Sequence, residues 1–403
     1  MWLGAVLPDP QAARARAAHT RTALRASAEN TGFSPGARAV VSGQSPHALG
    51  WAVGLARAGL DVAVIEPDPH DARRAADILA RAVALGQAPP GIVLDRAPDK
   101  ARNAALVIDT APTPMKALRR ACAPDALVLI GATGNTGLAP PAQQVSIDTA
   151  QPPPAPGLIE LRTLPGTDPH LLGRAAGLAV RLGATPLRTP GFIGAPLRAR
   201  LEDAVEALIF AGSTPWEVDE ALEHAGFAPG PCAAQDRRGL DQAFARHRQQ
   251  DATGTRRFPC PVLARMVPEG RLGQKSGVGW YRYPGGGGRV IDPLIEDLSR
   301  EEAHFAGRAS TPLSADDLRR HAILSLIDAA ADLSAAGIPA PLVDLVCQET
   351  CGFPADLGGP LHLGAFLGFD RVCAVLEHRA IRNPVWAPGK ALRALSRHPR
   401  LQA

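Results

Sequence analysis

No apolar run in this chain approaches the roughly 20 residues that a membrane-crossing helix needs. The start, MWLGAVLPDP, has no basic residue ahead of its apolar run, and Pro8 cuts that run short, so it does not read as a signal peptide. Charge of one sign is also missing. The 43 Lys and Arg against 39 Asp and Glu leave +4, with arginines spread among acids, which implies no nucleic-acid surface. The six cysteines (Cys122, Cys232, Cys260, Cys347, Cys351, Cys373) include no C-x-x-C pair. Cys347 and Cys351 share a helix face, but with no further paired ligands nearby they read as buried thiols rather than a zinc site. A reducing, cytoplasmic compartment fits. Aromatic residues are only 4% of the chain, whereas 40 glycines and 39 prolines imply many loops. The 403 residues, 46% hydrophobic and 20% charged, suffice for two or three domains with cores.

Residues 10–30 read as an Ala/Arg helix with little apolar face. From Ala37, short apolar β-branched runs alternate with helices: ARAVVSG, Val62 to Glu66, Leu106 to Asp109 and Leu127 to Ile130 are strands, with helices at Leu49 to Ala58 and Asp71 to Ala84. That alternation argues for a parallel, doubly wound sheet. A helix from Asp168 to Leu182 follows Leu158-Ile159-Glu160-Leu161. After Pro190-Gly191-Phe192-Ile193 the pattern is helical. Thr214-Pro215-Trp216-Glu217 is a helix start, with Thr214 as N-cap and Glu217 three residues on.

Near the middle of the helical part lies RLGQKSGVGWYRY, Arg271 to Tyr283. Three glycines in a short span, closed by Trp280-Tyr281, make a specific turn rather than a soft linker. The order G-Q-K-S-G-x-G-W-Y, with P-x-x-x-G-G-P at Pro354 to Pro360, resembles the C-terminal part of 3-hydroxyacyl-CoA dehydrogenases. It is most similar to the dehydrogenase half of multifunctional fatty-acid oxidation enzymes. The resemblance implies an α/β, Rossmann-like sheet followed by an all-helical C-terminal domain that is duplicated. The expected layout is a helical extension at 1–36, an NAD-binding-type domain at 37–190, a helical domain at 191–284 and a diverged second copy at 285–403. The implied reaction is NAD-dependent oxidation of L-3-hydroxyacyl-CoA to 3-oxoacyl-CoA in fatty-acid beta-oxidation. The implied partner is an acyl-CoA-type small molecule, with no nucleic acid and no membrane. Single-copy relatives dimerise through the helical domain; a second internal copy could fill that surface, so monomer and homodimer both stay open. The sequence names no hydratase or thiolase partner.

The cofactor turn departs from the G-x-G-x-x-G that a pyrophosphate needs. Gly43 is kept, but Ser45 and Ala48 hold the second and third glycine positions, and Pro46 removes an N–H where the helix should present donors. Glu66 ends the second strand, where an acid would bond a ribose hydroxyl. In the catalytic segments the resemblance implies that Glu160 is the retained orienting glutamate. Family spacing then places Asp148 where the histidine base belongs, Ala195 at the asparagine position, and Thr133 as the hydroxyl of the serine turn. The stretch Thr110 to Pro114 lacks the acid that relatives place near the nicotinamide ribose. An aspartate is a poor proton acceptor at neutral pH, and an acid pair supplies no N–H to the developing carbonyl. The expected outcome is weak or absent hydride transfer, with the fold kept for binding or structure. The alternative is an active, divergent dehydrogenase. Among other candidates, His170 reads as a helix-start residue, His47 as a turn residue near a phosphate position, His224 and His321 as surface or core-edge residues, and Lys275 as a solvated loop cation.

Overall fold

The computed structural model describes residues 7–28, 33–43, 46–110, 118, 122–131, 144–149, 157–254, 261–307 and 313–397. They form two compact units: residues 19–193, and residues 194–403 together with residues 1–18. Helix α1 (Pro10–Ala26) contributes its residues up to 18 to the second unit.

The first unit is built on an eight-stranded sheet. Its strands are β1 (Arg38–Ser42), β2 (Asp61–Ile65), β3 (Val93–Asp95), β4 (Leu106–Asp109), β5 (Leu127–Gly131), β6 (Val145–Thr149), β7 (Leu158–Arg162) and β8 (Thr185–Thr189). The spatial order is β3-β2-β1-β4-β5-β6-β7-β8. All neighbours are parallel except β6 and β7, which run antiparallel. The parallel, doubly wound sheet expected from the sequence is observed, with one antiparallel step. Residues 150–157 are too few for the dozen or more that a parallel crossover takes.

Two edge strands escaped the sequence reading, and both are edge cases physically. β3 is three residues long with Val93 exposed. β8 contains Pro186, which cannot donate to a ladder and is tolerated because β8 has a neighbour on one side only.

Helices α2 (Pro46–Arg57), α3 (Pro69–Ala84) and α4 (Pro169–Arg181) accompany the strands. Trp51 and Leu55 from α2, Leu79 from α3 and Leu172 and Leu178 from α4 join Val41, Val64, Ile108, Leu129, Ile147 and Leu161 in one core. Burial of each large side chain there is worth about 1.5–3 kcal/mol. The alternate residues of β1, β2, β4 and β5 (Val40, Ile65, Val107, Val128, Ile130) form a smaller cluster with Leu118 and Ala101. Both α3 and α4 start on Asp-Pro-His. Asp68 and Asp168 each accept the backbone N–H two residues on, at 2.8 Å, and proline occupies the first helical position.

The second unit is helical, with α5 (Gly194–Phe210), α6 (Pro215–His224), α7 (Pro231–Arg238), α8 (Leu240–Thr253), α9 (Pro261–Met266), α10 (Pro293–Phe305), α11 (Ala315–Ala335), α12 (Ala340–Cys351), α13 (Pro360–Leu367), α14 (Phe369–Arg382) and α15 (Lys390–Arg397). A short hairpin of β9 (Tyr281–Arg282) and β10 (Val290–Ile291) lies before α10. The α6 start is a full capping box: the Thr214 hydroxyl accepts from Glu217 N at 3.3 Å, and the Glu217 carboxylate accepts from Thr214 N at 2.8 Å. Among the described residues, no helix is long and apolar enough to cross a membrane. Cys232, Cys347, Cys351 and Cys373 are free thiols and buried, and Cys122 is half-buried.

Candidate functional site

In an open parallel sheet, ligands bind beyond the carboxyl ends of the strands where strand order reverses. Here that place is the end of β1, between β2 and β4. Gly43 follows β1 with φ of 97°, a backbone state glycine adopts without strain, and its N–H is held by Ile65 O at 3.1 Å. Ala48 is fully buried on the first turn of α2. Glu66 stands at the end of β2, and its carboxylate accepts the Asp68 N–H at 3.0 Å. Burial pushes the Glu66 carboxyl above the ordinary carboxylate range, against the pull of that hydrogen bond. The end of β4 adds a buried pair that the sequence did not announce. The Ser42 hydroxyl donates to the Asp109 carboxylate, and Thr110 Oγ1 donates to Ser42 O at 2.7 Å. Ser45, Thr133 and the stretch 111–117 lie outside the described residues.

The second group of candidates is on β6 and β7. Antiparallel pairing sets Asp148 directly opposite Glu160. The Glu160 side chain is buried, and its Oε2 accepts the Ile193 N–H at 2.6 Å. Glu160 thus anchors the Pro190-Gly191-Phe192-Ile193 turn to the sheet. Asp148 is half-buried, and its Oδ1 accepts the neighbouring Thr149 N–H at 2.9 Å. Directly opposed acids on one face repel unless they share a proton. The structure therefore brings Asp148 and Glu160 together, and separately gathers Gly43, Ala48 and Glu66.

The face carrying this pair has more polar groups than the sequence reading noticed. Side chains alternate across a strand, so Ser146 lies on the Asp148 face and Arg162 on the Glu160 face. Ser146 pairs with Arg162, and Arg162 pairs with Thr189 of β8. The E-x-R and S-x-D spacings were the available signal, because period two puts both members on one side.

In the helical unit the GQKSGVGWY loop folds around Asp236. Its Oδ1 accepts Trp280 N at 2.9 Å, and Oδ2 accepts Tyr281 N at 3.0 Å and the Tyr283 hydroxyl at 2.9 Å. A Cβ at Gly279 would lie 2.0 Å from that Oδ1, and one at Gly273 would lie 2.2 Å from Asp236 O, so both glycines are required by close approach. Lys275, the loop cation, is partly exposed, and its ammonium pairs with Asp241 at 2.5 Å. His170 is exposed and its N–H serves the Asp168 cap. His224 is exposed on α6, with Nδ1 at Glu220 O. His321 is buried against Trp386, with ring centroids 4.4 Å apart, and burial with Arg379 pushes it down to about 4.

Two segments of the helical unit are built alike. Asp219 on α6 accepts from Cys232 N and Ala233 N at the start of α7, at 2.8 and 3.0 Å. Asp344 on α12 accepts from Leu361 N and His362 N at the start of α13, at 2.7 and 3.1 Å. Each of those helices begins Gly-Pro, and a Cβ on Gly230 or Gly359 would lie 2.4 Å from Asp219 Cγ or 2.3 Å from Asp344 Cβ. The following turns, Gly239-Leu240-Asp241 and Gly368-Phe369-Asp370, are alike too. The segments meet reciprocally: Gly226 faces Pro354, Gly352 faces Ala228, and the Phe227 and Phe353 rings pack edge to face at 5.5 Å.

A sheet with a glycine bend at its switch point is followed in sequence by a helical unit. Residues 191–283 match the 3-hydroxyacyl-CoA dehydrogenase C-terminal domain. Peroxisomal bifunctional enzymes are similar. That of Danio rerio is 28% identical over 261 residues, covering 59% of this chain and 36% of that protein. That of Homo sapiens is 31% identical over 213 residues, covering 48% and 29%. The chain thus spans about a third of the length of these curated relatives. Among solved structures, 3-hydroxybutyryl-CoA dehydrogenase from Escherichia coli K12 shares the fold with a TM-score of 0.66 at 20% identity, covering 91% of this chain and 99% of that one. The dehydrogenase part of multifunctional enzyme 1 from C. elegans shares it with a TM-score of 0.61 at 15% identity, covering 93% and 96%. Residues 191–283 thus carry a 3-hydroxyacyl-CoA dehydrogenase C-terminal domain.

Proposed function

We propose that this chain keeps the family's dehydrogenase scaffold while performing little or no hydride transfer, and serves as a binding or structural module. The observation that carries this reading is the pairing of Asp148 with Glu160. The family chemistry, oxidation of L-3-hydroxyacyl-CoA to the 3-oxo product, needs a base near neutral pKa that can then present N–H to the carbonyl oxygen. A second carboxylate can share a proton but cannot present a cationic donor. Loss of general-base help costs about 10²–10⁴ in rate, and loss of a positioned donor about 10²–10³ more.

NAD, the family's cofactor, supplies the hydride acceptor when bound. Gly43 and Glu66 fit its ribose end: the bend has the left-handed φ that lets backbone come close, and the carboxylate ends β2. Pro46 offers no N–H to a pyrophosphate. Those residues support the second reading, an active divergent dehydrogenase. Calorimetric titration with NADH, followed by steady-state turnover of acetoacetyl-CoA, separates the two. Turnover well above a buffer blank sinks the first reading. Asp148→His should raise turnover at least about tenfold if NADH binds, because imidazole beside Glu160 restores an oriented base.

The twin Asp-capped segments support two copies of one helical unit, the first at 191–284 and the second within 285–403. Their reciprocal Phe227–Phe353 contact supports a monomer, with an acyl-CoA-type molecule as ligand. Light scattering after size exclusion reads the mass directly, and a dimer counts against the internal-copy account.

A further inference from the structure

The sheet face beside the carboxylate pair is unusual in what it leaves unsatisfied. Among the described residues, Ser146 Oγ, Arg162 Nε and Thr189 Oγ1 are each buried with no hydrogen-bond partner. Ser146 and Thr189 are each 3% exposed. The three are consecutive across β6, β7 and β8 on one face, since Ser146 pairs with Arg162 and Arg162 with Thr189. Adjacent strands lie about 4.8 Å apart, so the row is about 10 Å wide with the guanidinium at its centre. On β5 the same face carries Ile130, the partner of Ser146, in an apolar cluster, so the row is a local change of character. Beside Arg162 lies the Phe192 ring, its centroid 6.0 Å from the guanidinium carbon.

Buried polar groups in native proteins have partners, and a row of three without them asks for one. We propose that Ser146, Arg162 and Thr189 form an anion subsite for the carboxylate of a small hydroxy acid. The guanidinium and the hydroxyls are donors, which suit an acceptor group rather than a cation. A carboxylate accepts from the guanidinium through one oxygen and from a flanking hydroxyl through the other. One step along the strands, Asp148 and Glu160 present acceptors. They suit a hydroxyl donated from the same ligand. The subsite recognises a free acid, not a thioester, and goes beyond the dehydrogenase reading without resting on it.

The test is calorimetric titration of the full chain, without NAD, using 3-hydroxybutyrate, its methyl ester and butyrate. The acid should bind saturably, with the ester at least about tenfold weaker because its charge is gone, and butyrate weaker because its hydroxyl is gone. Arg162→Met should weaken the acid by about tenfold or more, and Ser146→Ala and Thr189→Val by about two- to fivefold each. Thermal melts establish that each variant folds; if Arg162→Met does not, the two hydroxyl variants carry the test. Equal binding of acid and ester, wild-type affinity in the folded variants, or no saturable binding of the acid overturns the proposal. None of these readouts involves hydride transfer, so failure here leaves the activity reading to its own assay.

Discussion

Asp219 and Asp344 hold the starts of α7 and α13 through the same pair of backbone N–H groups, yet different segments close over them. Above Asp219 sits the aromatic loop: the Tyr281 hydroxyl donates to Asp219 Oδ2 at 2.9 Å, and Arg289 approaches it at 3.5 Å. Above Asp344 no such loop exists in the sequence, and the distant arginine is Arg16 of α1. That helix also brings Arg14 to Asp356, at 2.9 Å from Nη2 to Oδ2. Burial pushes the carboxyl of Asp219 up to about 6 and that of Asp344 up to about 7, against their hydrogen bonds. The same cap can therefore be finished by either a local or a remote segment, and only the first finish leaves a recognisable motif.

The comparison is broken most severely by removing the carboxylates. Asp219→Ala strands two helix-start N–H groups and leaves the buried Tyr281 hydroxyl only its longer bond to Pro215 O, at 3.4 Å, and should cost about 3 kcal/mol. Asp344→Ala strands the two N–H groups alone and should cost less, and urea melts would rank the two. If Asp344 proves the costlier, the tyrosine contributes nothing to the difference.

Gly359→Ala should cost more than Gly230→Ala, about 3 against about 2 kcal/mol: both push a methyl into the capping side chain, and Gly359 alone has a positive φ, of 106°. An innocuous substitution at either one would mean that the two turns are not alike.

The acids also set a pH dependence. Burial pushes Asp219 and Asp236 both up to about 6, above the ordinary carboxylate range. Folded protein thus binds their protons more tightly than unfolded protein does. Their stabilising contribution is full below about pH 4 and is lost as pH rises through about 6. Unfolding free energies from denaturant titration should fall by up to about 3 kcal/mol per group across that window, and Asp219→Asn should flatten part of the slope. Burial would raise Glu202 too, but Arg238 and Arg246 overrule it and hold it at about 2. It acts in the opposite sense, losing stability only as pH falls below about 4.5.

The smallest effects belong to the arginines. Arg16→Met and Arg289→Met act at exposed or half-exposed pairs and should each cost at most about 1 kcal/mol, diminishing with salt. A larger loss for Arg16 in differential scanning would make the N-terminal helix a structural keystone rather than a cover.

Legibility in the sequence followed how locally each feature is encoded. The Thr214 capping box, the 271–283 turn and the Asp-Pro-His starts are each written within a few residues. β3 and β8 were not readable because edge strands tolerate short length and proline. The Asp148–Glu160 pairing could be placed from spacing, but Glu160 anchoring Ile193 N could not, because that bond joins residues 33 apart. Ser146, Arg162 and Thr189 stand together only through sheet register, and the role of Asp219 depends on a loop more than 60 residues away.

Helix α1 reaches its partner Asp356 across 342 residues of chain. The entire sheet unit lies between those two ends in sequence. During synthesis, then, α1 is made long before the residues it grips, and the helical unit remains unfinished until α12 and α13 have emerged. Assembly of that unit waits for residues on both sides of the sheet unit, however early the sheet settles.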